Sequence, residues 1–140
     1  MTEPPHSTRI YVDADACPVK DEVYRVAREF LVLATKILER KMPRELHDQF
    51  DRATMSILFN IGEGAGKTSR DDKRRFYEIT RGSTTESATQ LDLMNIRGII
   101  SHAHYGPARS LLLRVAQMLS RLCSNPRSAP VYPQSRNSRP

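Results

Sequence analysis

From residue 23 onward, apolar side chains recur at alternating steps of three and four, the period of a helix that buries one face. Val23, Val26, Phe30, Leu33 and Ile37 form the first stripe, widened by Ala27, Ala34 and Leu38. It predicts a helix from about 18 to 41. Pro18 falls in the first turn, where a missing N–H is tolerated, and Pro43 closes the segment. Leu46, Phe50, Ala53, Ile57 and Ile61 repeat the pattern and predict a second helix over about 44–61, which Gly62, Gly64 and Gly66 weaken or end. Thr68 or Ser69 is placed to cap a third helix, and Asp71 and Asp72 complement the dipole of its first turn. Its stripe reads Phe76, Ile79, Ser83, Glu86, Gln90 and Met94, and it ends near Gly98. The fourth helix has the tightest arc: Leu111, Leu112, Val115, Met118, Leu119 and Leu122. Gly106-Pro107 marks its start, or a kink after a short turn that begins at Ser101.

Four amphipathic helices with short connections pack most simply as an antiparallel up-down four-helix bundle, since each stripe must be covered and short loops make neighbours antiparallel. The expected fold is all-α, with the bundle spanning residues 18–123. A short extended leader, 1–17, precedes it, with a β-like run at Ile10-Tyr11-Val12 and a polar, Pro-rich start. A disordered basic tail, 124–140, follows, with four Pro, four Ser and three Arg.

Composition changes this picture little; charge changes it more. The 140 residues suit one domain with a modest core, 27% charged and 39% hydrophobic. No apolar run approaches the ~18–20 residues that span a bilayer, and Met1-Thr2-Glu3-Pro4-Pro5 lacks the basic and apolar regions of a secretory signal. Cys17 and Cys123 form neither a disulfide framework nor a metal motif, so two free thiols in a reducing cytoplasm are expected. The formal charge is +6, and residues 93–140 contribute seven Arg and no acid, whereas residues 1–92 are close to neutral. That asymmetry points to an anionic partner, RNA or DNA before membrane; a merely solvated basic surface is the plainer alternative.

Candidate chemistry is thin. Ala53 to Ser69 reads ATMSILFNIGEGAGKTS, but a phosphate loop needs its first Gly where Ile61 stands, and the preceding residues keep helical spacing. A di-iron bundle needs inward Glu and Glu-x-x-His pairs, and Glu86-Ser87-Ala88-Thr89 supplies no His. Asn60, Glu63, Glu86 and Gln90 are read instead as a buried polar network that fixes helix register. No catalytic residue, metal or cofactor is expected. Lys67, Arg70, Lys73, Arg74, Arg75 and Arg81 cluster where the second helix meets the third. With Arg114 and Arg121 they form the candidate phosphate-contacting surface. Tyr77 and Tyr105 are the nearby candidates for stacking, too few for base-specific recognition.

Two resemblances add to this. The strings SILFNIGEGAGKTSRDDKRRFYEITRGSTTESATQLDL and ARSLLLRVAQMLSRL make residues 28–123 similar to the four-helix bundle family of 23S rRNA intervening-sequence proteins. The family pattern of Asn-Ile-Ala-Glu-Gly, Arg-Phe and Gly-Ser-x-x-Glu falls here at Asn60 to Gly64, Arg75-Phe76 and Gly82 to Glu86, with Gly62 in place of the usual Ala. The resemblance implies a non-enzymatic bundle that assembles as a homo-oligomer, often a pentameric ring. Its relatives include a retroelement accessory protein that binds a reverse transcriptase and nucleic acid. A nucleic-acid enzyme is therefore a possible partner, and a protein-interaction scaffold without nucleic acid is the alternative. Residues 10–27, IYVDADACPVKDEVYRVA, resemble the opening of the YaiI/YqxD family, whose PIN-like, nuclease-related α/β fold holds a metal on acidic residues. That implies a third reading, a residual nuclease on Asp13, Asp15 and Asp21, although phosphodiester cleavage needs more converging carboxylates than this segment offers. The two resemblances meet inside the first predicted helix, so the leader is expected to supply the first turns of a bundle helix.

Overall fold

In a computed structural model of the chain, residues 18–124 are described, and they form four helices. These are α1 (Pro18–Leu38), α2 (Arg44–Gly66), α3 (Arg70–Ile96) and α4 (His102–Ser124). Each helix packs on its neighbours in sequence, and α4 closes the ring against α1. The bundle is thus the all-α, up-down arrangement that the four stripes require. The leader, including Ile10-Tyr11-Val12, Asp13, Asp15 and Cys17, lies outside the described residues. So does the tail from residue 125 on.

The core is built as the stripes of α1, α2 and α4 predict. Val23, Val26, Phe30, Ala34 and Ile37 meet Phe50, Ile57 and Ile61, with Leu112, Val115 and Leu119 closing from the far side. Val23 and Val26 belong to the segment that resembles another family, yet both are fully buried in the bundle. The first two turns of α1 are therefore core material.

The bounds of α1 and α2 differ from expectation, each for a physical reason. α1 stops at Leu38 because Glu39 and Arg40 close it with tighter bonds to Lys36 O and Ile37 O before the chain reaches Pro43. α2 does not end at Ile61 but continues through its glycines to Gly66. Gly64 is buried there, and a Cβ on it would stand 2.9 Å from Tyr77 Cε1 and 3.1 Å from Phe76 Cβ. At that glycine α2 and α3 approach closely, so packing outweighs its poor helix propensity. α4 begins at His102, four residues ahead of Gly106, and carries Pro107 inside it.

The third helix is rotated from the predicted phase. Its buried positions are Tyr77, Thr80, Thr84, Ser87, Gln90, Leu91 and Met94, while Ile79 is 45% exposed and Glu86 faces solvent. Threonine makes this possible. Thr80 Oγ1 donates to Phe76 O and Thr84 Oγ1 to Thr80 O, both at 2.8 Å, so their hydroxyls are satisfied within the helix and their methyls face the core. Of the two candidate caps, Ser69 is the one that caps α3, accepting from Asp72 N at 3.3 Å. At the other end Gly98, φ +67°, takes the left-handed position, with Gly98 N donating to Asn95 O and Ile99 N to Met94 O. This is a Schellman motif, and it turns the chain into α4.

Ser87 breaks the pattern. It is fully buried, and its hydroxyl has no hydrogen-bond partner among the described residues. Ser87→Ala removes that desolvated group and is expected to stabilise the bundle by about 1 kcal/mol. A rise in the urea midpoint at unchanged slope is the predicted result; a fall would show that the hydroxyl is bonded in solution.

Candidate nucleic-acid interface

The basic residues singled out in the sequence gather mainly at one end of the bundle, where α2 ends, α3 begins and α4 finishes. Lys67 lies in the α2–α3 connection, and Arg70, Lys73, Arg74, Arg75 and Arg81 follow on α3. Lys67 pairs with Glu63 at 3.8 Å and lies 5.2 Å from the centroid of the Phe76 ring. Arg75 lies over the same ring at 5.1 Å. Arg74 Nε donates to Glu78 Oε1 at 3.1 Å. Lys73 and Arg70 are half-buried at the base of the helix; Arg81 is exposed.

Arg81, Glu78 and Arg74 all act electrostatically on Cys123 near the end of α4. Burial nevertheless dominates and raises the Cys123 thiol above the ordinary range. Arg74 and Arg81 therefore lie on the α4 side of α3, whereas α2 packs on the opposite side through Ser56 and Ser83.

The structure separates Arg114 from this group. Arg114 NH2 donates to Glu22 Oε1 on α1 at 3.3 Å, and Glu22 also takes Arg25. The Glu22 carboxyl is held below its usual range, first by the hydrogen bond from Arg25 and then by nearby Arg114. Arg121 is exposed in the last turn of α4. Arg114 is thus set between α4 and α1, apart from the six residues around the start of α3.

The predicted polar network is corrected more substantially. Asn60, Glu63, Glu86 and Gln90 do not form one buried cluster. Asn60 Nδ2 donates to Ser56 O at 2.8 Å and to Ser56 Oγ at 2.9 Å, and Ser56 Oγ meets Ser83 Oγ at 2.8 Å. That serine pair, absent from the sequence reading, is what links α2 to α3. Glu63 and Glu86 are exposed; Gln90 is buried and reaches Glu86 Oε1 at 3.4 Å. The rotation of α3 is the cause, since it turns Glu86 outward onto the rim of a groove of about 490 Å³ that also carries Gln49, Arg52, Ser56 and Ser83. Hydroxyl pairs have no periodic signature, so spacing alone could not have found this one.

The two tyrosines proposed for stacking are both committed elsewhere. Tyr77 is 4% exposed, packed on Gly64. Tyr105 Oη donates to Asp92 Oδ1 at 2.7 Å, and Arg109 Nε donates to the same oxygen at 3.1 Å. These two donors flank Pro107 and clamp the start of α4 onto α3. The bond to Asp92 is the main cause that raises the Tyr105 phenol above the usual tyrosine range; burial adds to it and Arg109 opposes it. A raised pKa means that this contribution to stability is fully present below the ordinary tyrosine pKa and is lost as pH rises through the shifted value. In Asp92→Asn the Tyr105 titration, followed by NMR, should move down toward that ordinary range; an unmoved titration would exclude the clamp.

Among the described residues no three His, Cys, Asp or Glu side chains group as a metal site, and no helix is long and apolar enough to cross a membrane. Asp21 is exposed in the first turn of α1.

Fold and surface together define a four-helix bundle with a basic end. A family model for the 23S rRNA-intervening sequence protein matches residues 19–121, and the chain belongs to that family. A solved structure from Bacteroides thetaiotaomicron, described as a protein of unknown function from the S23 ribosomal protein family, superposes with a TM-score of 0.70 at 21% identity. It covers 75% of this chain and 97% of that one, and shows the shared fold. The second resemblance also has kin. A UPF0178 protein of Bradyrhizobium diazoefficiens is 40% identical over 74 residues, 51% of this chain and 37% of that protein. One from Nitrobacter winogradskyi is 90% identical over 64 residues, 46% of this chain and 36% of its own length. The chain therefore spans little more than a third of these curated relatives.

Proposed function

We propose that this protein is a non-enzymatic, self-associating helical bundle of the cytoplasm that binds RNA or a ribonucleoprotein through the basic end. The carrying observation is the gathering of Lys67, Arg70, Lys73, Arg74, Arg75 and Arg81 at the start of α3, beside the end of a helix that has no acidic residue. Six cations on rigid backbone suit a polyphosphate chain better than a single carboxylate ligand. Self-association, with a pentameric ring as the arrangement that the family resemblance implies, is supported by large apolar side chains left on the surface. Phe59 is 66% exposed and Val32 63%.

RNA affinity measured over a salt series tests the reading. Binding should weaken steeply with salt, and charge reversal at Arg75 and Arg81 should abolish most of it. Unchanged affinity in that variant would remove this surface from the interface. Co-purification of a protein partner that survives nuclease treatment, without RNA binding, would favour the scaffold reading instead. Light scattering reports the oligomer; a monomer at all concentrations would refute self-association.

A further inference from the structure

We infer that the basic end is built for double-helical rather than single-stranded nucleic acid, an inference that rests on the function proposed above. Arg70, Arg74 and Arg81 are spaced four and seven residues apart on one face of α3, so they form a straight row about 16 Å long on the α4 side of the helix. Arg70 and Arg81 make no ion pair with the described residues, and Arg74 is shared with Glu78. A rigid row of this kind meets phosphates at fixed positions.

Single strands are held differently. Much of their affinity comes from bases stacking on exposed aromatic rings. At this end the rings are already occupied: Phe76 carries Lys67 and Arg75 against it, and Tyr77 is buried under Gly64. Phe59 is the exposed ring nearest in sequence, but it lies on α2, across α3 from the arginine row. An unpaired strand on the row would leave its bases in water. A duplex hides its bases in its own stack and offers only backbone and shape, which this surface can use.

The test compares an RNA duplex of about 16 base pairs with oligouridine of the same length, across a salt series. The duplex is expected to bind about tenfold tighter, because it does not depend on stacking against the protein. Arg70→Gln/Arg81→Gln should lower the salt slope for the duplex by about one per arginine, with helicity unchanged by circular dichroism. Equal or tighter binding of oligouridine would overturn the duplex assignment while leaving nucleic-acid binding intact. Salt-insensitive or absent binding of both probes would overturn the proposed function as well.

Discussion

Phe30→Ala is expected to lower the stability of the bundle by about 3–5 kcal/mol, the range found when a buried phenylalanine leaves a cavity. Phe30 is fully buried near the centre of α1 and shares the core with Phe50, Ile57, Leu112 and Val115. A domain of this size commonly has about 5–15 kcal/mol in all, so the variant should be partly unfolded at ambient temperature or lose a large part of its urea midpoint. A loss below about 1 kcal/mol would mean that α1 is not docked as described. The result bears on the junction between the two resemblances. Val23 and Val26 come from the YaiI/YqxD-like segment and lie on the same stripe as Phe30, equally buried. If Phe30 is needed, the helix that the leader enters is part of the domain and not an appendage.

Gly64→Val is expected to cost about 3 kcal/mol, at the upper end of overpacking. A first carbon at this position already stands 2.9 Å from the Tyr77 ring, and that ring is buried and cannot swing aside into solvent. The branched carbons of valine add to the clash, so α2 and α3 must separate where the basic end is assembled. Gly62 is the internal control. A Cβ there meets nothing within 4 Å, so Gly62→Ala should gain about 0.5–1 kcal/mol through helix propensity alone. Opposite signs for two glycines one half-turn apart would establish the close approach. Equal effects would show that only propensity is at work. Because Gly64 lies beside the cationic cluster, the valine variant should also weaken the proposed RNA binding under conditions where it remains folded.

How much of this was legible in the sequence depends on the element. The stripes of α1, α2 and α4 are strongly apolar, so their period gave the correct buried faces down to single residues such as Phe50 and Leu119. α3 gave the wrong phase because its core face is threonine, serine and glutamine, residues that a hydrophobic pattern counts as polar. Ile79 looked like core and is exposed, while Thr80 and Thr84 looked like surface and are buried. The error passed directly into the site, since a misphased α3 turned Glu86 inward on paper and joined it to Asn60 and Glu63. The cationic cluster around Lys67 to Arg81 was legible because it is contiguous in sequence. The placement of Arg114 against Glu22 of α1 was not, because it depends on which neighbour each face of α4 meets.

By itself the sequence determined the number of helices, their order, three of their four buried faces, a cap at Thr68 or Ser69, the turn at Gly98 and the charge imbalance of the final third. All of these are local properties of period, propensity and composition. Only the tertiary structure decided the rotation of α3, the contact of Gly64 with Tyr77, the Ser56–Ser83 link, the Asp92 clamp on Tyr105 and Arg109, and the occupation of Phe76 by Lys67 and Arg75. Three of these join different helices, the rotation of α3 decides which of its residues can do so, and the last joins the start of α3 to the connection before it. Their geometry follows from how whole faces pack, which no local pattern encodes.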